Sequence, residues 1–240
     1  MKSDRLQRLS EHLRGTRYSR MDDLAREFGV SLATIHRDVQ ELVRRGVVKK
    51  VHGGATSLLP AMIDVTGGFG GGHFLQRMEM QRESKSRIAE RAEAEIENGD
   101  IVFVDSSTTG MFLARRLQET RFANLSVVTN SVLVSQEFHR FPPHYILVCV
   151  GGNFNVHLNS FLGQLALDNL SRLQVTKAFV SCAGVSDDSL TTYHEEHAVF
   201  LRGVLAMARK KYLLVDRSKF GKTGLYEICS LAEIDQVISE

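Results

Sequence analysis

From residue 85 to residue 240, short apolar runs alternate with stretches in which apolar residues return every three or four positions, and this alternation constrains the fold most. The runs 100–104, 125–129, 145–150, 178–183, 212–216 and 236–239 read as strands. The intervening segments 85–96, 111–117, 132–138, 161–170 and 195–208 read as amphipathic helices. Strands apolar along their whole length and separated by helices predict an α/β domain: a mostly parallel sheet covered by helices on both sides. In such a sheet, ligands bind where strands end and helices begin.

The strand ends carry the chemistry. Ile101-Val102-Phe103-Val104 runs into Asp105-Ser106-Ser107-Thr108-Thr109-Gly110, and a helix follows at once. Hydroxyls, small residues and free amides at a helix N-terminus form an anion site, although the same residues can simply cap the helix. Other strands end at Asn130, at Gly151-Gly152 and at Asp216-Arg217-Ser218-Lys219. Together these ends supply a cation (Lys219), carboxylates (Asp105, Glu195) and amides, the donors and acceptors that a phosphorylated sugar requires.

The first quarter of the chain follows another pattern. Residues 1–57 hold 12 Lys and Arg against 7 Asp and Glu, whereas the whole chain has a net charge of only +2. Leu6, Leu9 and Leu13 mark a first helix, with Ser3 to cap it and Gly15 to stop it; Leu24, Ala25 and Phe28 mark a second. After Gly29, Ser31 can cap a third helix, buried through Ile35, Val39 and Leu42. Residues 47–55 read as a glycine-ended β-wing. Three helices and a wing predict an N-terminal winged helix-turn-helix. Ser31, Thr34, His36, Arg37, Gln40 and Arg44 are its candidates for bases or phosphates, and Lys49, Lys50 and His52 its candidates for phosphates alone.

Residues 58–74 read as a linker, through Thr66-Gly67-Gly68-Phe69-Gly70-Gly71-Gly72. They divide a DNA-binding domain, 1–57, from an effector-sensing domain, 75–240. No strand leads into the glycines, so a phosphate loop is not expected there. No apolar run reaches the roughly 18 residues of a membrane span and no secretory signal opens the chain, so a cytoplasmic protein without membrane contact is expected. Cys149, Cys182 and Cys229 lie far apart in apolar runs, which points to reduced thiols; no metal and no cofactor is expected.

The chain resembles the DeoR family of transcriptional repressors. The resemblance rests on Ser31-Leu32-Ala33-Thr34-Ile35-His36-Arg37-Asp38-Val39 and on Val51-His52-Gly53-Gly54-Ala55. In the second domain it rests on Lys85-Ser86-Arg87-Ile88-Ala89, Asp105-Ser106-Ser107-Thr108-Thr109, Thr129-Asn130-Ser131, Gly151-Gly152 with Gly163, and Asp216-Arg217-Ser218-Lys219-Phe220-Gly221. It implies a sensor similar in fold to ribose-5-phosphate isomerase and glucosamine-phosphate deaminase. It also implies a repressor of a carbohydrate operon that is released from double-stranded operator DNA by a sugar phosphate or related metabolite, and paired half-sites as the usual target of such helices lead to the expectation of a homo-oligomer. Lys85, Asp105, Ser106, Ser107, Thr108, Thr109, Asn130, Gly151, Gly152, Glu195 and Lys219 are the effector-binding positions that follow.

Three departures from the family pattern stand out. Ser107 and Gly110 interrupt a loop in which DSGTTT is common, His194 precedes Glu195 where Asn-Glu is frequent, and Glu240 ends the chain about one helix and strand early, leaving a sheet edge open or covered by a partner. Two other readings remain. One is an isomerase or deaminase fused to a DNA module, with Asp105 or Glu195 as base. The other is a repressor whose second domain only oligomerises.

Overall fold

A computed structural model describes residues 5–240 apart from 7, 11, 14–17, 45–46, 52 and 58–73. The chain divides into two compact units at residue 64. The proposed cap Ser3, the stop Gly15, the wing residue His52 and the glycine run 67–72 lie outside the described residues.

In the first unit, helix α1, described at residues 5–6, 8–10 and 12–13, precedes β1 (Ser19–Arg20), α2 (Met21–Glu27), α3 (Leu32–Arg44), β2 (Val48–Val51) and β3 (Gly54–Ser57). Gly29 takes φ 61°, a left-handed conformation that costs glycine little, and so turns α2 into α3. Leu9, Leu13, Leu24, Ile35 and Val39 are fully buried and form the core of this unit. The wing is a three-stranded antiparallel sheet in the order β1-β3-β2. Its first strand is not legible in the sequence, because two residues carry no periodicity.

In the second unit, α4 (Phe74–Glu79) and α5 (Arg82–Glu93) lead to β4 (Ile101–Val104), α6 (Thr108–Leu117), β5 (Ser126–Thr129), α7 (Val132–Gln136) and β6 (Ile146–Cys149). Next come β7 (Asn153–Asn155), β8 (Ser160–Leu162), α8 (Gln164–Leu170), β9 (Lys177–Val180), β10 (Gly184–Ser186), β11 (Ser189–Thr192) and α9 (Glu195–Met207). The last elements are β12 (Lys210–Leu214), β13 (Tyr226–Ser230) and β14 (Gln236–Ile238).

Six strands form one sheet in the order β14-β12-β9-β4-β5-β6, every neighbouring pair parallel. Successive side chains point to opposite faces, so the sheet builds two cores. Val102, Val104, Val127, Phe179 and Leu214 pack with Ile88, Met111 and Leu113 of α5 and α6. Phe103, Val128, Val180 and Leu213 pack with Leu170 of α8 and Phe200 and Leu201 of α9. Each such side chain contributes roughly 1.5–3 kcal/mol on burial.

Three readings need correction. The helix expected over 161–170 begins only at Gln164, because Gly163 at φ 84° breaks the backbone and Ser160–Leu162 pairs antiparallel with Asn153–Asn155. Phe74, placed in the linker by composition, opens α4 and is buried at 1% exposure in the sheet core. The helix expected from Met111 starts at Thr108, so Thr108 and Thr109 lie in its first turn and not in a loop. The small antiparallel sheet β10-β11-β13 has no counterpart in the sequence reading.

Candidate functional site

Two surfaces hold the candidate residues, one in each unit. In the first, Ser31 accepts a hydrogen bond from the Thr34 amide at 3.3 Å, and the two hydroxyls lie 2.9 Å apart. The cap expected at Ser31 is therefore present. Ile35, Val39 and Leu42 face inward, while Arg37, Gln40 and Arg44 are exposed and His36 is half-buried. Arg37 donates through Nε to the Ala33 carbonyl at 3.3 Å, and Arg44 pairs with Glu41 at 2.6 Å. Lys49 and Lys50 stand exposed on β2, and His52 lies outside the described residues.

Asp38 escapes the sequence reading. It is 2% exposed, and Arg5 Nε donates to its Oδ2 at 2.6 Å, fastening α1 to α3. A polar residue one position before Val39, on the apolar side of the helix, is the available signal.

In the second unit, parallel strands bring Asp105, Asn130, Gly151, Gly152 and Lys219 to one rim, each just beyond the carboxyl end of β4, β5, β6 or β12. The strand order reverses between β4 and β9, where a crevice is expected. Asp105 is fully buried there. Its Oδ1 accepts from the Ser107 amide at 3.1 Å and the Ser107 hydroxyl at 2.5 Å, and its Oδ2 accepts from the Ser181 amide at 2.7 Å. Burial pushes its carboxyl up to about 6 against the pull of these donors.

Ser107 needs no glycine-like backbone, with φ −71° and ψ 163°. Its hydroxyl accepts from the Gly110 amide at 2.9 Å and caps α6. Gly110 is required here, since a Cβ would fall 2.4 Å from Asp105 Oδ1. Ser106, Thr108 and Thr109 are buried beside them.

The other positions divide by role. Lys85 is 4% exposed; its ammonium donates to the Met80 carbonyl at 2.6 Å and to the Arg77 carbonyl, so it secures the end of α4. Burial lowers it to about 8, reinforced by Lys219 and Arg77 and opposed by Asp216. Lys85, Asp216 and Lys219 thus share one electrostatic neighbourhood. Asp216 repeats the Asp105 arrangement, accepting from the Ser218 amide at 3.0 Å and from its hydroxyl. Asn130 donates to Ser160 Oγ at 2.6 Å, while its buried Oδ1 has no donor among the described residues. Gly152 is small for packing, since a Cβ would meet the Leu162 carbonyl at 2.7 Å. Gly151 takes φ 66°, and Glu195 is exposed as the first residue of α9.

Sequence reasoning passes over Arg77 and His197. Arg77 Nε and His197 Nε2 are buried without a hydrogen-bond partner among the described residues. Burial lowers His197 to about 4, helped by His194 and Arg77. His194 is lowered by burial too, with Arg77 and His157 adding to it. The available signals are Phe74 and Met78 four apart around Arg77, and two histidines three apart at the start of a helix.

Among the described residues no group of three or more His, Cys, Asp or Glu is arranged to hold a metal ion, and no helix is long and apolar enough to cross a membrane. Cys149, Cys182 and Cys229 are free.

Residues 5–60 match the DeoR-like helix-turn-helix domain, and residues 80–240 match the DeoR C terminal sensor domain. The lactose phosphotransferase system repressor of Staphylococcus epidermidis is 29% identical, over 100% of this chain and 92% of the relative. The glycerol-3-phosphate regulon repressor of Escherichia coli is 28% identical, over 93% of this chain and 84% of the relative. Ribose 5-phosphate isomerase A from Neisseria gonorrhoeae is similar in structure over 61% of this chain and 56% of that one, with a TM-score of 0.44 at 14% identity. This chain belongs to the DeoR family, in which a DNA-binding helix-turn-helix domain is joined to a sensor domain, and it is a transcriptional regulator.

Proposed function

We propose that residues 1–57 bind double-stranded operator DNA to repress carbohydrate-metabolism genes, and that residues 75–240 release it when a phosphorylated sugar occupies the strand-end rim. Residues 58–74 join the two. The protein acts as a homo-oligomer in the cytoplasm, since paired half-sites are the usual target of such helices.

The observation that carries this reading is the outward side of α3. Arg37 and Gln40 are exposed on a helix held inward by Ile35, Val39 and Leu42, and Lys49 and Lys50 are exposed on the wing of the same unit. Arg37 pairs with guanine or phosphate, Gln40 reads adenine, and the two lysines neutralise phosphates. Ser31 and Thr34 hold each other at the helix start, and Ser31 offers its hydroxyl to a phosphate. At the rim, the unsatisfied Asn130 Oδ1 is an acceptor for a sugar hydroxyl, and Lys219 adds positive charge that draws an anionic effector toward it.

Fluorescence anisotropy with a duplex from the neighbouring promoter tests the proposal. Binding should exceed that to a scrambled duplex and fall when one member of a sugar-phosphate panel is added. Equal affinity for both duplexes would reject the DNA half, and release by no phosphorylated sugar would reject the sensing half.

A further inference from the structure

Arg77 presents an electrostatic problem that the fold does not solve internally. Its Nε is buried with no acceptor, and no ion pair to it occurs among the described residues. Its guanidinium lies 5.7 Å from the centre of the Phe74 ring, which offers a weak π face in place of a carboxylate. A half-buried guanidinium with one nitrogen sealed from water and no counter-charge is costly unless an anion visits it.

Two histidines share its surroundings. His197 Nδ1 and Thr192 Oγ1 lie 3.4 Å apart, and His197 Nε2 is buried with no partner among the described residues. His194 is the cap residue of α9, yet its side chain makes no capping bond. The groups that act on the charge of His197 are His194 and Arg77, and those that act on His194 are Arg77 and His157; none of them is a carboxylate. On α9 itself, Glu195 and Glu196 are exposed. Arg77, two imidazoles and the start of a 13-residue helix thus act on one another electrostatically, and Arg77 Nε and His197 Nε2 are left without partners among the described residues.

We propose that the anionic group of the effector binds between Arg77, His194 and His197, and that one of these histidines takes up a proton as it binds. The inference rests on the reading of this domain as a sensor of a phosphorylated metabolite and adds where the charge goes. In the free protein burial disfavours the charged form of both imidazoles, and the nearby cation Arg77 adds to that. An anion reverses that balance: it pairs with Arg77 and favours the imidazolium, which donates through Nε2. Lys85 acts as a positioning residue, since its ammonium fixes the carbonyl of Arg77 itself. Acidification thus tightens the binding of an anion whose own charge stays fixed.

The test uses the full chain and sulfate, an anion whose charge does not change between about pH 6 and about pH 8, so that any pH dependence belongs to the protein. Calorimetry should show sulfate binding at least about fivefold tighter at the lower pH. Titrations in buffers of different ionisation enthalpy should show proton uptake. His197→Gln and His194→Asn should reduce the uptake and flatten the dependence, and Arg77→Gln should abolish binding at both pH values. Arg77→Lys, which keeps the charge but not the planar fork, should bind measurably more weakly and serves if the glutamine variant does not fold.

A flat pH profile, absent proton uptake, or sulfate affinity unchanged in the Arg77 variants would overturn the inference. These outcomes are separate from those of the function itself. A protein that still binds its operator and is released by a sugar phosphate, but ignores Arg77→Gln, keeps the function and loses the inference.

Discussion

Asp105 and Ser181 meet across the point where the strand order reverses, the Ser181 amide donating to Asp105 Oδ2 at 2.7 Å. The bond joins the ends of β4 and β9, so the carboxyl that opens the rim is held from both sides. Because burial raises Asp105 to about 6 from 3.8, the folded protein keeps this proton to higher pH than the unfolded chain. Its stabilising contribution is therefore complete below about pH 4 and is lost as pH rises through about 6. Urea unfolding should show Asp105→Asn gaining stability relative to the parent over that window, by an amount on the order of 2–3 kcal/mol. A difference constant with pH would contradict the assignment.

His197 works in the opposite sense. Its folded value, about 4, lies below 6.5, so its contribution is present above about pH 6.5 and is lost as pH falls through about 4. In the absence of anion, His197→Gln should resist acid better than the parent between those values. Thermal unfolding at several pH values, compared with Asp105→Asn, separates the two opposing slopes.

The loop after β4 predicts a ranking. Ser107→Ala removes the cap that the Gly110 amide uses and should cost about 1 kcal/mol, whereas Ser107→Gly should cost only about a few tenths. Gly110→Ala forces a Cβ against Asp105 and should cost about 1–3 kcal/mol. Chemical denaturation of the three variants checks the order, and a harmless Gly110→Ala would show that the loop relaxes freely.

Contacts to DNA should sort by salt dependence. Removing Lys49 or Lys50 should weaken binding to all duplexes and lower the slope of log K against log salt by about 1 for each phosphate no longer neutralised. Gln40→Ala should leave the slope intact and relax preference at one base pair by about 1–3 kcal/mol. Anisotropy at three salt concentrations distinguishes them.

In the head, Asp38→Ala leaves the Arg5 guanidinium without its buried acceptor and loosens α1 from α3. The unfolding midpoint should drop by several degrees, and operator affinity should fall with it. Unchanged melting would mean the pair contributes nothing net.

Much of this architecture is legible because it rests on periodicity. The strand runs at Val102-Phe103-Val104 and Val127-Val128 are apolar on both faces and could only be interior. The cap at Ser31 and the turn at Gly29 depend on local chemistry that a sequence states outright. What escapes depends on contacts distant in the chain or on elements too short to repeat. Ser160–Leu162 is as apolar as a helix face and declares itself a strand only by pairing with Asn153–Asn155. Arg77 looks like any surface arginine, since nothing local reveals that its Nε is buried. The anion reading for residues 105–109 gives weight to their hydroxyls, yet Ser107 spends its own on Asp105 and Gly110.

All six strands run the same way, so the two ends of the sheet have unequal duties. At the amino end, Lys177 pairs with Asp100 at 2.7 Å and donates to the Glu95 carbonyl, pinning β9 beside β4. At the carboxyl end the ladders have already stopped, and side chains there can be exchanged without breaking a single rung. A scaffold of this kind lets new chemical tastes evolve by editing its loops, while the opposite margin keeps the architecture standing.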